Sequence, residues 1–263
     1  ELVKELAKKV DILVENFTPG VMDRLGLGYE ELSKVNPRLI YTSLSGYGHT
    51  GPRQDLPAFD IVAQAMGGFM SVTGFPDGPP TKAGTGVGDL CGGLYTTIAI
   101  LAALHHRTET DEGQFIDISL QDCVWAFTTA GVNNIYFLTG ENPQRFGNGY
   151  YEGVPFNVYH AKDGYIVICI ITIGQWQVFL RLIGREDLIE VEKYATQVER
   201  INYREEVDAL VEEWTKTKCV AEIENEFKKA HLPCSPVPSF AEVANDPQLL
   251  SREMITETEQ IIS

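Results

Sequence analysis

Asp11-Ile-Leu-Val-Glu15 and Arg38-Leu-Ile-Tyr-Thr-Ser-Leu44 are the two stretches whose reading decides the fold. The first is a short apolar run broken by Asn16-Phe-Thr-Pro-Gly20, the pattern of a strand followed by a turn. The second is β-rich and almost continuously apolar, as in a strand buried on both faces. Each follows a helical segment. Residues 2–9 carry Leu2, Val3, Leu6 and Ala7 on one stripe, as in a helix packed on one side, and residues 29–35 read as a helix stopped at Asn36-Pro37. Helix, strand, helix, strand is the cadence of an α/β fold with a parallel sheet.

Outward from this core, residues 46–57 read as a polar loop, 59–73 as a helix containing Gly67-Gly68, and 74–88 as a second loop rich in Gly and Pro. Asp89 opens a long helix over 90–106 that is apolar on nearly every side, which predicts a central position. Residues 115–119 read as a strand and 121–138 as a helix. The character changes over 140–153, where Gly, Asn and polar residues cluster and a boundary is expected. Beyond it, two β-rich runs flank Ala161-Lys-Asp-Gly164, an Asp-Gly hairpin signal. Helices are expected over 175–183, 203–216 and 220–230, then an extended segment over 233–238, with Ser239 as the N-cap of a last helix.

Composition excludes several classes. The 263 residues hold 21 Lys+Arg and 37 Asp+Glu, a net charge of −16. That balance argues against binding nucleic acid, which takes clustered cations, and against docking on an anionic membrane. The longest uninterrupted apolar run, 98–104, is too short to span a bilayer. The 5 cysteines are dispersed, without a C-x-x-C pair, so neither a disulfide framework nor a metal site is expected, and reduced thiols in a cytoplasmic protein are. The charged opening is no signal peptide. A helix already under way at residue 1, without Met, reads as a partial chain.

The strongest chemical feature is Gly84-Thr-Gly-Val-Gly-Asp-Leu-Cys-Gly-Gly93. Alternating glycines let a ligand or a second backbone approach closely. They lead to Asp89, which reads equally as a helix N-cap or as a carboxylate nucleophile beside amides able to bind an oxyanion. The glycine spacing is not that of a dinucleotide fingerprint. His105 and His106 point to different sides of one helix and cannot share a metal.

An ordered set of segments resembles the class III CoA-transferases, the formyl-CoA transferase or carnitine CoA-transferase-like (CaiB/BaiF) family. It comprises Asp11–Gly26, Val35–Tyr41, Ser45-Gly-Tyr-Gly, Phe59–Gly68, Thr73–Pro80, Gly88-Asp89, Gly113–Asp117, Asp163-Gly-Tyr, Gln175-Trp176, Pro233–Val237 and Asp246-Pro247. The resemblance implies a Rossmann-like large domain over 1–145, a small α+β domain over 146–238, a segment over 239–263 returning towards the large domain, and an interlocked homodimer. It implies Asp89 as the nucleophile that forms an acyl-aspartyl anhydride and an aspartyl-CoA thioester, with Asp60 supporting it. Asn16, Phe17, Val21 and Arg24 are implied contacts of coenzyme A, which serves as acyl-CoA substrate and not as a bound cofactor. Acyl-CoA racemases of the same fold use a His where this chain has Phe59, and a phenyl ring cannot carry a proton, so exchange between an acyl-CoA donor and a carboxylic acid acceptor is favoured. Racemisation and a non-catalytic CoA-binding subunit are the alternatives. The tetraglycine loop of formyl-CoA transferase is absent, with Gly147-Asn-Gly149 in that region, which disfavours oxalate and formate.

Overall fold

The structure is a computed structural model, and it describes residues 1–128 and 132–258. The chain divides after Gly147 into two compact units, Glu1–Gly147 and Asn148–Ser263.

The first unit is α/β. Its strands β1 (Ile12–Glu15), β2 (Ile40–Ser45) and β3 (Gln114–Ser119) form a parallel sheet in the order β1-β2-β3. Its helices are α1 (Leu2–Ala7), α2 (Val21–Arg24), α3 (Tyr29–Val35), α4 (Asp60–Met66), α5 (Phe69–Val72), α6 (Val87–Thr110), α7 (Leu120–Thr128) and α8 (Val132–Thr139). Alternation along the strands divides the apolar side chains between two faces. Leu13 and Tyr41 pack with Ala7, Leu32 and Leu39. Leu44 packs on the other face with Ala63, Leu120 and Val124. The central strand β2 is buried on both sides, as its apolar run predicts.

Four helical expectations change. The helix expected over 59–73 is two helices, because Gly68 turns left-handed at φ 83° and begins α5. The one-sided packing expected over 2–9 reaches only Ala7, with Leu2 and Leu6 exposed. The long helix starts at Val87 and runs 24 residues, and it is not enclosed. Its sheet-facing stripe is Gly88, Cys91, Gly92, Thr96 and Ala103, whereas Leu90, Leu94, Ile98 and Leu101 are 59–61% exposed. Small residues take the inner side because they let helix and strands approach. Apolarity all round a helix does not say which face is covered. The expected helix over 121–138 corresponds to α7 and α8, with 129–131 outside the described residues.

By length and composition α6 could cross a membrane. Its contacts with β2, β3, α4 and α7 instead make it a layer of the α/β unit. Near its C-terminal end the buried Arg107 donates to the Arg38 carbonyl at 3.0 Å and pairs with Asp11 at 3.0 Å. Both partners precede strands, so α6 is anchored at the amino edge of the sheet. Asp89 lies about 27 Å up the helix, towards the carboxyl edge.

The second unit is built on the hairpin of β4 (Phe156–His160) and β5 (Tyr165–Cys169), with β6 (Cys234–Pro236) antiparallel to β5. The Asp163-Gly164 turn joins the first two, as the sequence predicts. Its helices are α9 (Ile173–Leu182), α10 (Glu192–Ala195), α11 (Gln197–Asn202), α12 (Arg204–Thr215), α13 (Val220–Lys229), α14 (Phe240–Ala244) and α15 (Pro247–Ser251). Helix α9 starts two residues before the expected 175, because Thr172 and Gln175 form a capping box. Ser239 caps α14 through the Glu242 amide, as expected. Ile166, Ile168, Trp176, Phe179, Val207 and Phe227 make one core. Arg200 is fully buried within this unit and donates to the carbonyls of Val154 and Tyr194. Burial lowers its pKa to about 10, so the guanidinium still carries its charge at neutral pH.

Gly113 is the tightest point of the sheet entry. Its amide donates to the Pro37 carbonyl at 2.8 Å, and an added Cβ would collide with the backbone of Arg38 and Leu39. Gly113→Ala should therefore destabilise the protein by about 3 kcal/mol, read as a lower urea midpoint at unchanged slope.

Candidate active site

Asp60 opens α4 and reaches across to the start of α6. Its Oδ1 accepts the Gly88 amide at 2.7 Å, and its Oδ2 accepts Gln64 Nε2 at 2.8 Å. Gly88 is the second residue of α6, where an amide has no partner within the helix. The helix is therefore capped from outside, because its own N-cap residue, Gly86, has no side chain to offer. Asp89, the third residue, is not the N-cap that one reading of the sequence allows. Its side chain is exposed and has no hydrogen-bond partner among the described residues.

The two carboxylates are close enough to interact. Partial burial, with the Asp60 charge second, raises the Asp89 pKa above the ordinary carboxylate value. The glycines keep the approach open, since the atoms nearest the place a Gly86 Cβ would occupy are those of the Asp60 and Asp89 carboxylates, at 3.7–3.8 Å, and a Cβ on Gly84 would meet open space. The loop leading to this turn is pinned elsewhere. Arg145 donates to the carbonyls of Phe75, Pro76 and Gly78, and the Gly147 amide pairs with Gly74 at 2.9 Å.

The four residues implied for coenzyme A follow β1 at the carboxyl edge of the sheet, the edge at which open α/β sheets bind ligands. Asn16, Phe17 and Arg24 are exposed and Val21 is half-buried. Glu15 is buried and accepts the Phe17 amide at 2.8 Å, which fixes the turn. Gly20 has φ 80°, and a Cβ there would meet the Arg24 guanidinium at 3.1 Å. Asp60 and Asp89 lie close enough for their charges to interact, both flanking the place a Gly86 Cβ would take, and the other four residues share the carboxyl edge of the sheet. A cavity of about 200 Å³ beside this turn is lined by Glu15, Thr18, Gly20, Tyr41 and His49, among others, and by neither Asp60 nor Asp89.

Sequence reasoning missed Gln64 and Arg145. The Asp60–Gln64 spacing of four within a helix was a usable signal. Arg145 left none, because its partners are carbonyls some 70 residues away. All five cysteines are free, and the described residues contain no group of three His, Cys, Asp or Glu able to hold a metal ion.

The family model for CoA-transferase family III matches residues 1–261. The chain belongs to this family. It is 40% identical over 252 residues to the acetyl-CoA:oxalate CoA-transferase of Acetobacter aceti, covering 95% of this chain and 64% of that protein. It is 39% identical over 264 residues to the succinyl-CoA:mesaconate CoA-transferase of Haloarcula marismortui, covering 99% and 66%. The crystal structure of a CaiB/BaiF family protein from Brucella suis superposes with a TM-score of 0.84 at 38% identity, covering 96% of this chain and 67% of that one. The chain thus spans just under two thirds of the length of these two curated relatives.

In this family III chain the raised pKa of Asp89 has a consequence for stability. Folding disfavours the charged carboxylate, so the penalty is present above the ordinary carboxylate pKa and is relieved as the pH falls through the raised value. Asp89→Asn should therefore unfold at a higher temperature than the unsubstituted chain at neutral pH. The two melting curves should converge in acid.

Proposed function

We propose that this chain carries the catalytic carboxylate of an acyl-CoA:carboxylate CoA-transferase, with Asp89 as the nucleophile. The observation that carries the reading is the exposed Asp89 carboxylate, set behind a glycine turn and next to Asp60. An Asp89 oxygen attacks the thioester carbonyl. The C–S bond breaks, CoA thiolate leaves, and an acyl-aspartyl anhydride remains. The thiolate then attacks the aspartyl carbonyl and releases the donor acid, leaving an aspartyl-CoA thioester. The acceptor carboxylate attacks that thioester, expels thiolate and forms a second anhydride. The thiolate takes the new acyl group and frees Asp89. Nucleophile and acceptor are both carboxylates, so each step is nearly balanced, and water must be excluded to protect the anhydride.

Asp60 serves this scheme in two ways. It holds the amide end of α6, and its charge keeps Asp89 more basic than an isolated carboxylate. The turn bearing Asn16, Phe17, Val21 and Arg24 supplies the coenzyme A contacts, Arg24 as a planar cation suited to phosphate. The relatives' names supply the substrate class, acyl-CoA donors with carboxylic acid acceptors. The named acetyl-CoA:oxalate relative reopens oxalate, which the missing tetraglycine loop had disfavoured. Phe59 in place of a proton-carrying His favours transfer over racemisation. We retain 1–145 as the CoA-binding and catalytic domain, a cytoplasmic location, and an interlocked homodimer, for which the uncovered Leu90, Leu94, Ile98 and Leu101 face of α6 offers apolar surface.

Exchange of CoA between a thioester and a free acid, followed by mass, tests the assignment. Asp89→Ala in the protein should lower kcat by at least about 10³-fold, and hydroxylamine should trap no acyl group on it. Turnover within a few-fold of the unsubstituted protein would remove Asp89 from its role. The acid limb of kcat/KM should lie above the ordinary carboxylate range. Asp60→Asn, which deletes the neighbouring negative charge, should move that limb to lower pH.

A further inference from the structure

We propose that Gln64 is a positioning residue for the Asp89 carboxylate, acting through Asp60 and the glycine turn without touching the reacting atoms. The proposal rests on the nucleophilic role of Asp89 set out above. Gln64 is a fully buried side chain, 0% exposed, in the middle of α4. A buried amide is costly unless its donors and its acceptor are all used, and here all are. Its Oε1 accepts the Ala83 amide at 2.9 Å. Its Nε2 donates to Asp60 Oδ2 at 2.8 Å and to the Thr85 carbonyl at 3.3 Å. Asp60 Oδ1 in turn holds the Gly88 amide at 2.7 Å. One side chain therefore grips the turn at Ala83 and Thr85 and aims the carboxylate that grips it again at Gly88. Asp89 is the next residue.

The residue type is dictated by these partners. Met or Leu would fill the same space but leave the Ala83 amide and the Thr85 carbonyl unpaired and Asp60 free to turn. Glu would face Asp60 and the Thr85 carbonyl with an acceptor where both take a donor. Neither Asp60 nor Asp89 has a Lys or Arg partner among the described ion pairs, so the Gln64 amide and the Gly88 amide alone orient the Asp60 carboxylate. An atom displaced by an ångström at the nucleophile costs about 100-fold in rate, far more than it costs in binding.

The test uses the full protein with Gln64→Met and Gln64→Glu, assayed for CoA exchange across pH, for hydroxylamine-trapped acyl-enzyme, and for folded fraction by circular dichroism. Gln64→Met should keep the KM for acyl-CoA within about threefold and lose about 10–100-fold in kcat per folded molecule, with trapped acyl-enzyme falling in step. Gln64→Glu loses at least one of the two donors that serve Asp60 and the Thr85 carbonyl, whichever protonation state its buried carboxyl takes, and should show the same split of lowered kcat and held KM. Both variants are read per folded molecule, so a loss of folded protein does not enter the result. A Met or a Glu variant with unchanged kcat per folded molecule overturns the proposal. An Asp89→Asn control run alongside separates the two readings. If that control turns over normally, the nucleophile assignment has failed, whatever Gln64 does.

Discussion

The hydrogen bond from the Gly88 amide to Asp60 is the contact on which the rest of this site depends. A helix of 24 residues has Gly86 as its N-cap, which has no side chain to satisfy the free amides of the first turn. A carboxylate from the neighbouring α4 supplies the acceptor instead. A charged hydrogen bond of this kind is worth roughly 1.5–3 kcal/mol, and it fixes where the helix starts. Since Asp89 is one residue further on, the same bond sets where its carboxylate stands.

That solution brings two negative charges together at an N-terminus that would otherwise favour them. The Asp60 charge is committed to the Gly88 amide and the Gln64 amide, which leaves Asp89 as the exposed member of the pair, with no partner among the described residues. Partial burial, and after it the Asp60 charge, raise the pKa of Asp89. Exposure, basicity and an open glycine approach are the properties a carboxylate nucleophile needs, and a well-capped aspartate would have none of them. Under the proposed role of Asp89, the geometry trades local stability for reactivity.

The second unit uses the opposite strategy. The one buried charge among its described residues, Arg200, donates to carbonyls and lies over the Trp176 ring at 5.2 Å. It ties the 154 and 194 segments together within a core of Trp176, Phe179 and Phe227, where the side chain holds structure in place and offers nothing to solvent.

Much of this was determined by the amino-acid sequence itself. The parallel strands, the hairpin at Asp163-Gly164, the Ser239 cap and the glycine turn before Asp89 all follow from short-range rules, because turn chemistry and period-2 apolar runs act over a few residues. The resemblance of ordered motifs named the family for the same reason: motifs are local. What only the tertiary structure decided depends on neighbours remote in the chain. The split at Gly68, the small-residue side of α6 against the sheet, and the exposed leucine face follow from which surfaces meet. The capping of Gly88 by Asp60 spans 28 residues, and the grip of Gln64 on Ala83 spans 19. No local rule could choose between Asp89 as a helix cap and Asp89 as a free carboxylate. The choice was made when another side chain reached the same amide first.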